Sequence, residues 1–178
     1  EEKFGRDLTS KGGTVEMVQL WVNLPARFKM SPPRYQDLRD RRIPRVALPD
    51  GAGVVRVIAG EFGGAKGPAL TFTPVDLWDV MIEPGRAFEA GLPEGRTAAL
   101  FLLRGRARIN EALDLGAAEL VVPDREGGRL RGEAEESVRA LLLSGEPIEE
   151  PVVGYGPFVM NTDEEIAQAV DDFQGGRM

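Results

Sequence analysis

The chain carries 29 Asp and Glu residues but neither His nor Cys among its 178. Histidine is the usual general base near neutral pH and the commonest metal ligand. Chemistry therefore falls to carboxylates, Lys, Ser or Tyr, or it lies outside these residues. A Ser-His-Asp relay is excluded, because Ser10, Ser31, Ser137 and Ser144 have no imidazole to activate them. The missing Cys excludes disulfides and thiolate chemistry. The stretch GEFGGAKG, residues 60–67, has the composition of a phosphate loop. Its Lys66 is followed by Gly67 rather than Ser or Thr, so a hairpin or crossover loop is the better reading. GYGPF (154–158) has no dinucleotide fingerprint and precedes no βαβ unit. The carboxylate runs EEP (149–151) and DEE (163–165) show no sign of a shared pocket.

A net charge of −7 and a pI of about 4.8 set the chain against phosphate backbones, so direct nucleic-acid binding is not expected. The basic cluster RDRRIPR (39–45) reads as a solvated linker. Hydrophobic residues make up 42%, enough to bury the core of one sizeable domain. No apolar run approaches the ~20 residues of a membrane span. The lack of Cys agrees with a cytoplasmic location. The first residue is Glu1, with no signal-peptide pattern. The chain therefore reads as a piece of a longer protein, the alternative being a complete domain trimmed at its start.

The elements that would position any site are mostly strands. TVEMVQLWVN (14–23) alternates with apolar residues on both faces, the pattern of a strand buried on two sides, and Pro25 ends it. Pro32-Pro33 then breaks the chain, and RYQDLRDRR (34–42) is predicted to form a short linker helix closed by Pro44. From Val46 on, short apolar runs dominate: VVRVIAG (54–60), ALTFT (69–73), VDLWDVMI (75–82), TAALFLLR (97–104), RARI (106–109), AAELVVP (117–123) and SVRALLLS (137–144). Gly- and Pro-rich turns separate them, which predicts a sandwich or barrel. Trp78, Val80 and Ile82 share one face of their strand, as do Ala98, Leu100 and Leu102 of theirs, and both sets read as core.

The tail changes texture. Thr162 is placed to cap a helix and Glu165 completes a capping box. Asp163 and Glu164 suit the positive end of its dipole. Ile166, Ala169, Val170 and Phe173 form one apolar stripe, and Gly175 supplies the stop. A helix of about three turns is marginal alone, so it must dock. Phe158 just before it, if buried, would cost about 3–5 kcal/mol on truncation to Ala.

LWVNLPARFKMSPPRYQ (20–36) and SGEPIEEPVVGYGPFVMNTDEEIAQAVDDFQGGRM (144–178) resemble the pirin family, and PGRAFEAGLPEGRTAALFLLRG (84–105) resembles its second barrel more loosely. The resemblance covers nearly the whole chain. It implies an all-β, cupin-type jelly roll in a two-barrel protein, with a short linker helix and a C-terminal amphipathic helix. Residues 1–24 would be closing strands of a truncated N-terminal cupin barrel and 25–45 the linker. Residues 46–150 would be a metal-free C-terminal barrel, and 151–178 a tail docked where the barrels meet.

The same resemblance implies one metal, usually Fe, held in the N-terminal barrel by three His and one Glu, and none in these residues. The third His and the Glu form an H-x-E stretch. If His precedes Glu1, Glu2 falls on the Glu ligand; otherwise Glu2 is a frayed terminal residue, and alone it would not hold a metal. In the second barrel, Gly91 and Pro93 fall near the ligand positions, and neither can coordinate through a side chain. Glu89 and Glu94 nearby read as solvated. The activity implied for the full-length protein is a metal-dependent dioxygenase of the quercetin 2,3-dioxygenase type, acting on a flavonol-like small molecule, with these residues themselves non-catalytic. The alternative is an iron-dependent transcription cofactor that binds protein partners, or a structural two-barrel module.

Overall fold

The computed structural model describes residues 6–177. Two antiparallel sheets pack face to face. The larger is formed, in lateral order, by β1 (Arg45–Ala47), β2 (Gly53–Ala59), β5 (Val75–Ile82), β12 (Val138–Gly145), β7 (Thr97–Arg104) and β10 (Leu120–Val121). The smaller has β6 (Ala87–Gly91), β11 (Arg129–Ala134), β8 (Ala107–Ile109) and β9 (Leu113–Leu115). Two hairpins stand apart: β3 (Glu61–Phe62) with β4 (Ala65–Lys66), and β13 (Val153–Tyr155) with β14 (Phe158–Met160). The helices are α1 (Arg6–Lys11), α2 (Ala26–Lys29) and α3 (Asp163–Gln174). This is the all-β cupin fold with a C-terminal helix.

Alternation along the strands places the core between the sheets. Val55, Val57, Trp78, Val80, Leu100, Leu102, Ala140 and Leu142 point inward from the larger sheet, against Phe88, Ala90, Ile109, Leu115 and Leu130 of the smaller one. The inward triplets read from sequence, Trp78-Val80-Ile82 and Ala98-Leu100-Leu102, are all buried. Turns impose their own chemistry. At Gly60, with φ of +75°, an added Cβ would collide with the Asp76 carboxylate. The 60–67 stretch is the β3–β4 hairpin, with Glu61 opposite Lys66.

Three elements differ from expectation. Residues 14–23 form no strand, because a strand needs a hydrogen-bonded neighbour and the described residues offer none. Residues 34–42 do not form the linker helix; only a 3₁₀ turn at Asp40–Arg42 appears, with the short α2 placed earlier. The side-chain amide of Gln36 instead pairs with the backbone of Leu70, accepting from its N–H at 2.8 Å and donating to its carbonyl at 2.9 Å. ALTFT (69–73) likewise forms no ladder: Leu70 pairs with Gln36, and the Ala69 N–H donates to the Ile58 carbonyl at 3.1 Å. Phe72 there packs between Phe28, at 5.2 Å, and the Arg34 guanidinium, at 4.5 Å. Conversely, β6 and β11 form where Gly and Pro suggested turns.

The tail folds back on itself. α3 has the full capping box: Thr162 Oγ1 accepts from the Glu165 N–H at 3.2 Å, and the Glu165 carboxylate accepts from the Thr162 N–H at 3.1 Å. Thr162→Ala should therefore cost about 1 kcal/mol in urea unfolding; no change would mean the cap is idle. Ile166 and Ala169 are buried, and α3 packs on the β13–β14 hairpin. Phe158 is only half-buried, edge-on to Phe173 at 6.0 Å. Its truncation to Ala is thus expected to cost about 1–2 kcal/mol, below the fully buried figure. Thermal unfolding of the variant checks this. The tail also meets α2: Lys29 Nζ donates to the Val159 carbonyl at 2.9 Å, and the Ala26 N–H donates to Glu150 Oε2 at 2.6 Å.

Candidate functional site

The interior of the sandwich is filled rather than equipped. Inward positions of the smaller sheet carry Phe88, Ala90, Ala107, Ile109, Leu130 and Ala134, none with a ligating atom. Gly91 ends β6 and Pro93 follows it in a turn. Glu89 is exposed and paired with Arg129 at 3.4 Å, and Glu94 is exposed. The inward carboxylate of Asp76 is occupied by Arg96 at 2.6 Å. Ser144 is buried with no partner for its Oγ, and no His exists to activate it. Among the described residues no three Asp or Glu are grouped to hold a metal. These residues do not fit a metal. Glu2, the candidate ligand, lies outside the described residues.

The polar chemistry sits on the opposite, outer face of the larger sheet. Asp79 is central to it. In register it lies opposite Arg56 of β2 on one side and Leu141 of β12 on the other, with Arg139 two residues along β12. Its side chain is only 2% exposed. A buried carboxylate needs compensating donors, and two guanidinium groups supply them. Arg139 grips it with a fork, Nε donating to Oδ1 at 3.1 Å and Nη2 to Oδ2 at 3.0 Å. Arg56 Nη1 donates to Oδ2 from the other side. Burial pushes the Asp79 carboxyl up, but the hydrogen bonds and charges of Arg139 and Arg56 outweigh it and hold it below its ordinary value. The hydrogen bond to Asp79 pushes Arg139 up in turn.

Each arginine also reaches outward. Arg56 Nη2 donates to Asp40 Oδ1 in the 3₁₀ turn at 2.7 Å, and Arg45 holds the same carboxylate at 3.1 Å. The hydrogen bond and charge of Arg45 pull the Asp40 carboxyl below its ordinary value, with Arg56 adding to them. Arg139 Nη1 reaches Glu16 Oε2 at 3.5 Å, and Arg104 Nη2 donates to Glu16 Oε1 at 2.9 Å. Glu16 belongs to residues 12–25, a strap without helix or strand. The strap borders two open grooves with the sheet. One, of about 610 Å³, lies between Leu20, Val22 and Leu24 of the strap and Phe72, Val75 and Leu77. The other, of about 360 Å³, lies between Trp21 and Asn23 of the strap and Ala99, Leu143 and Ile148.

The strap's apolar side chains stay largely in solvent. Trp21 is 69% exposed and Met17 67%. Val15, Met17, Val18, Leu20, Trp21 and Val22 thus form a run of exposed apolar side chains. Sequence reading recognised the apolar character of 14–23 but not the ionic cluster. Its signal was present: the apolar runs VVRVIAG, VDLWDVMI and SVRALLLS carry charges on the face opposite the core, at Arg56, Asp79 and Arg139.

A family model described as the pirin C-terminal cupin domain matches residues 77–178. A Pseudomonas aeruginosa protein named "Putative quercetin 2,3-dioxygenase" is 51% identical over 177 residues, covering 99% of this chain and 62% of that protein. Pirin of Homo sapiens is 37% identical over 168 residues, 90% of this chain and 56% of its own. A crystal structure of quercetin 2,3-dioxygenase from Acinetobacter baumannii superposes with a TM-score of 0.85 at 41% identity, over 88% of this chain and 55% of that one. The chain thus spans about three fifths of the length of these curated relatives. The match over 77–178, which takes in the greater part of the sandwich from β5 onward and the whole tail helix, leads to one conclusion: the chain belongs to the pirin family, of which it carries the C-terminal cupin domain.

Proposed function

We propose that these residues are the non-catalytic second barrel of a metal-dependent dioxygenase of the quercetin 2,3-dioxygenase type. The observation that carries this reading is the filled interior: apolar side chains occupy the inward positions where a cupin site would need ligands. The names of the similar proteins supply the reaction class. Iron, or another divalent metal, then belongs to an N-terminal cupin barrel of the same protein. Glu2 is the one residue of this chain offered as a ligand there. That barrel is also the proposed partner for the exposed strap residues Met17 and Trp21. The role of the present residues is to bind and orient that partner and to keep water from the contact, in a cytoplasmic protein.

The test uses the full-length protein loaded with Fe(II) in air, with flavonol absorbance followed over time. Bleaching of quercetin that depends on the metal is expected. Metal-loaded protein that bleaches no flavonol would remove the enzyme reading. It would leave a protein-binding cofactor, a second reading favoured by the exposed Tyr155 and Phe173 on the tail.

A further inference from the structure

We propose that Asp79 is the keystone of a two-armed ionic latch, which through Arg139 fastens the strap and through Arg56 fastens the linker turn to one spot on the sheet. The geometry carries this. Arg139 spends Nε and Nη2 on Asp79, which leaves Nη1 aimed at Glu16. Arg56 spends Nη1 on Asp79 and presents Nη2 to Asp40. Each guanidinium is planar, so fixing one edge fixes where the other edge points. The outer carboxylates are well exposed: 46% for Glu16 and 64% for Asp40. Exposed ion pairs on free side chains hold little. Glu16 and Asp40 also meet the exposed Arg104 and Arg45, but only Arg139 and Arg56 approach them from positions that the buried carboxylate has already fixed.

The arrangement has a consequence that simple packing does not. The strap precedes α2 and the linker turn follows it, and no hydrogen bond between strap and turn is present among the described residues. Their shared carboxylate nevertheless couples them. Loss of Asp79 frees the Arg139 arm from the strap and the Arg56 arm from the turn together, leaving only Arg104 on Glu16 and Arg45 on Asp40. Loss of Glu16 unfastens only the strap, and loss of Asp40 only the turn. The inference rests on the proposed two-barrel reading only for its purpose, namely that the strap leads out of the other barrel and the latch sets how the halves sit together. The latch itself is testable without any activity.

The absence of Cys allows one nitroxide label per protein. Gln19→Cys reports the strap, Arg41→Cys the turn, and Ala167→Cys on α3 serves as a folded-state control. All three native side chains are exposed. Electron paramagnetic resonance spectra of the full chain are then compared. With Asp79→Asn, several-fold faster tumbling is expected at both Gln19→Cys and Arg41→Cys, with Ala167→Cys unchanged. With Glu16→Gln only the first label should loosen, and with Asp40→Asn only the second. If Asp79→Asn does not fold, Asp79→Glu keeps the charge but displaces the carboxylate, and both labels should again loosen together. Wild-type spectra at both positions in the Asp79 variants, or loosening of only one, overturn the latch. Equal loosening of both by Glu16→Gln overturns the two-arm coupling. Failure of flavonol turnover would bear on the enzyme reading alone.

Discussion

Asp79→Asn is expected to lose about 3 kcal/mol of folding stability, read as a lower urea midpoint with unchanged slope. The substitution is nearly isosteric, so the loss is electrostatic. It leaves Arg56, buried to 15% exposure, facing a neutral amide. Removing one member of a buried charge set costs more than the set contributes in total, because the remaining charge keeps its desolvation penalty. The pH dependence follows from the direction of the carboxyl shift. Held below its ordinary 3.8 in the folded state, Asp79 contributes stability above that value. The contribution is lost as pH falls through the depressed folded value. Wild type and Asp79→Asn should therefore differ at neutral pH and converge in strong acid. A gap that stays constant down to acid unfolding would mean the effect is steric.

Trp78→Ala is expected to cost about 3–5 kcal/mol in the same assay. Trp78 is 3% exposed at the middle of the sandwich, edge-on to Phe62 at 5.0 Å, and its removal opens a cavity between the sheets. Its Nε1 is buried without a partner, which makes the conservative variant informative. Trp78→Phe keeps an aromatic in place and removes an unsatisfied donor, offsetting part of the lost volume. The Phe variant should therefore retain most of the stability that the Ala variant loses. Equal losses for the two would contradict this, because refilling most of the cavity would then have recovered nothing.

What was legible in the sequence was whatever a short window specifies. VDLWDVMI forms β5 over Val75–Ile82 with its inward triplet as read. The capping box on α3 forms as its spacing requires, and of the four stripe residues Ile166 and Ala169 are buried and Val170 half-buried, while Phe173 at the end of the helix is exposed. Local reading failed where a partner distant in the chain decides the outcome. Residues 14–23 have strand composition but no ladder neighbour among the described residues, so they run as a strap. β11 lies in a stretch whose Gly127 and Gly128 suggested only a turn, and pairing with β6 and β8 extends it. The ionic cluster was hidden for the same reason. Arg56, Asp79 and Arg139 lie in three separate apolar runs. Only the lateral order β2-β5-β12 puts them side by side.

The division of labour between two barrels is tested most directly by iron titration of this chain alone, followed calorimetrically and by metal content after gel filtration. The expected result is no stoichiometric retention, since the inward positions of its barrel carry apolar side chains. One tightly held iron per chain would contradict that assignment and place a metal centre within these residues.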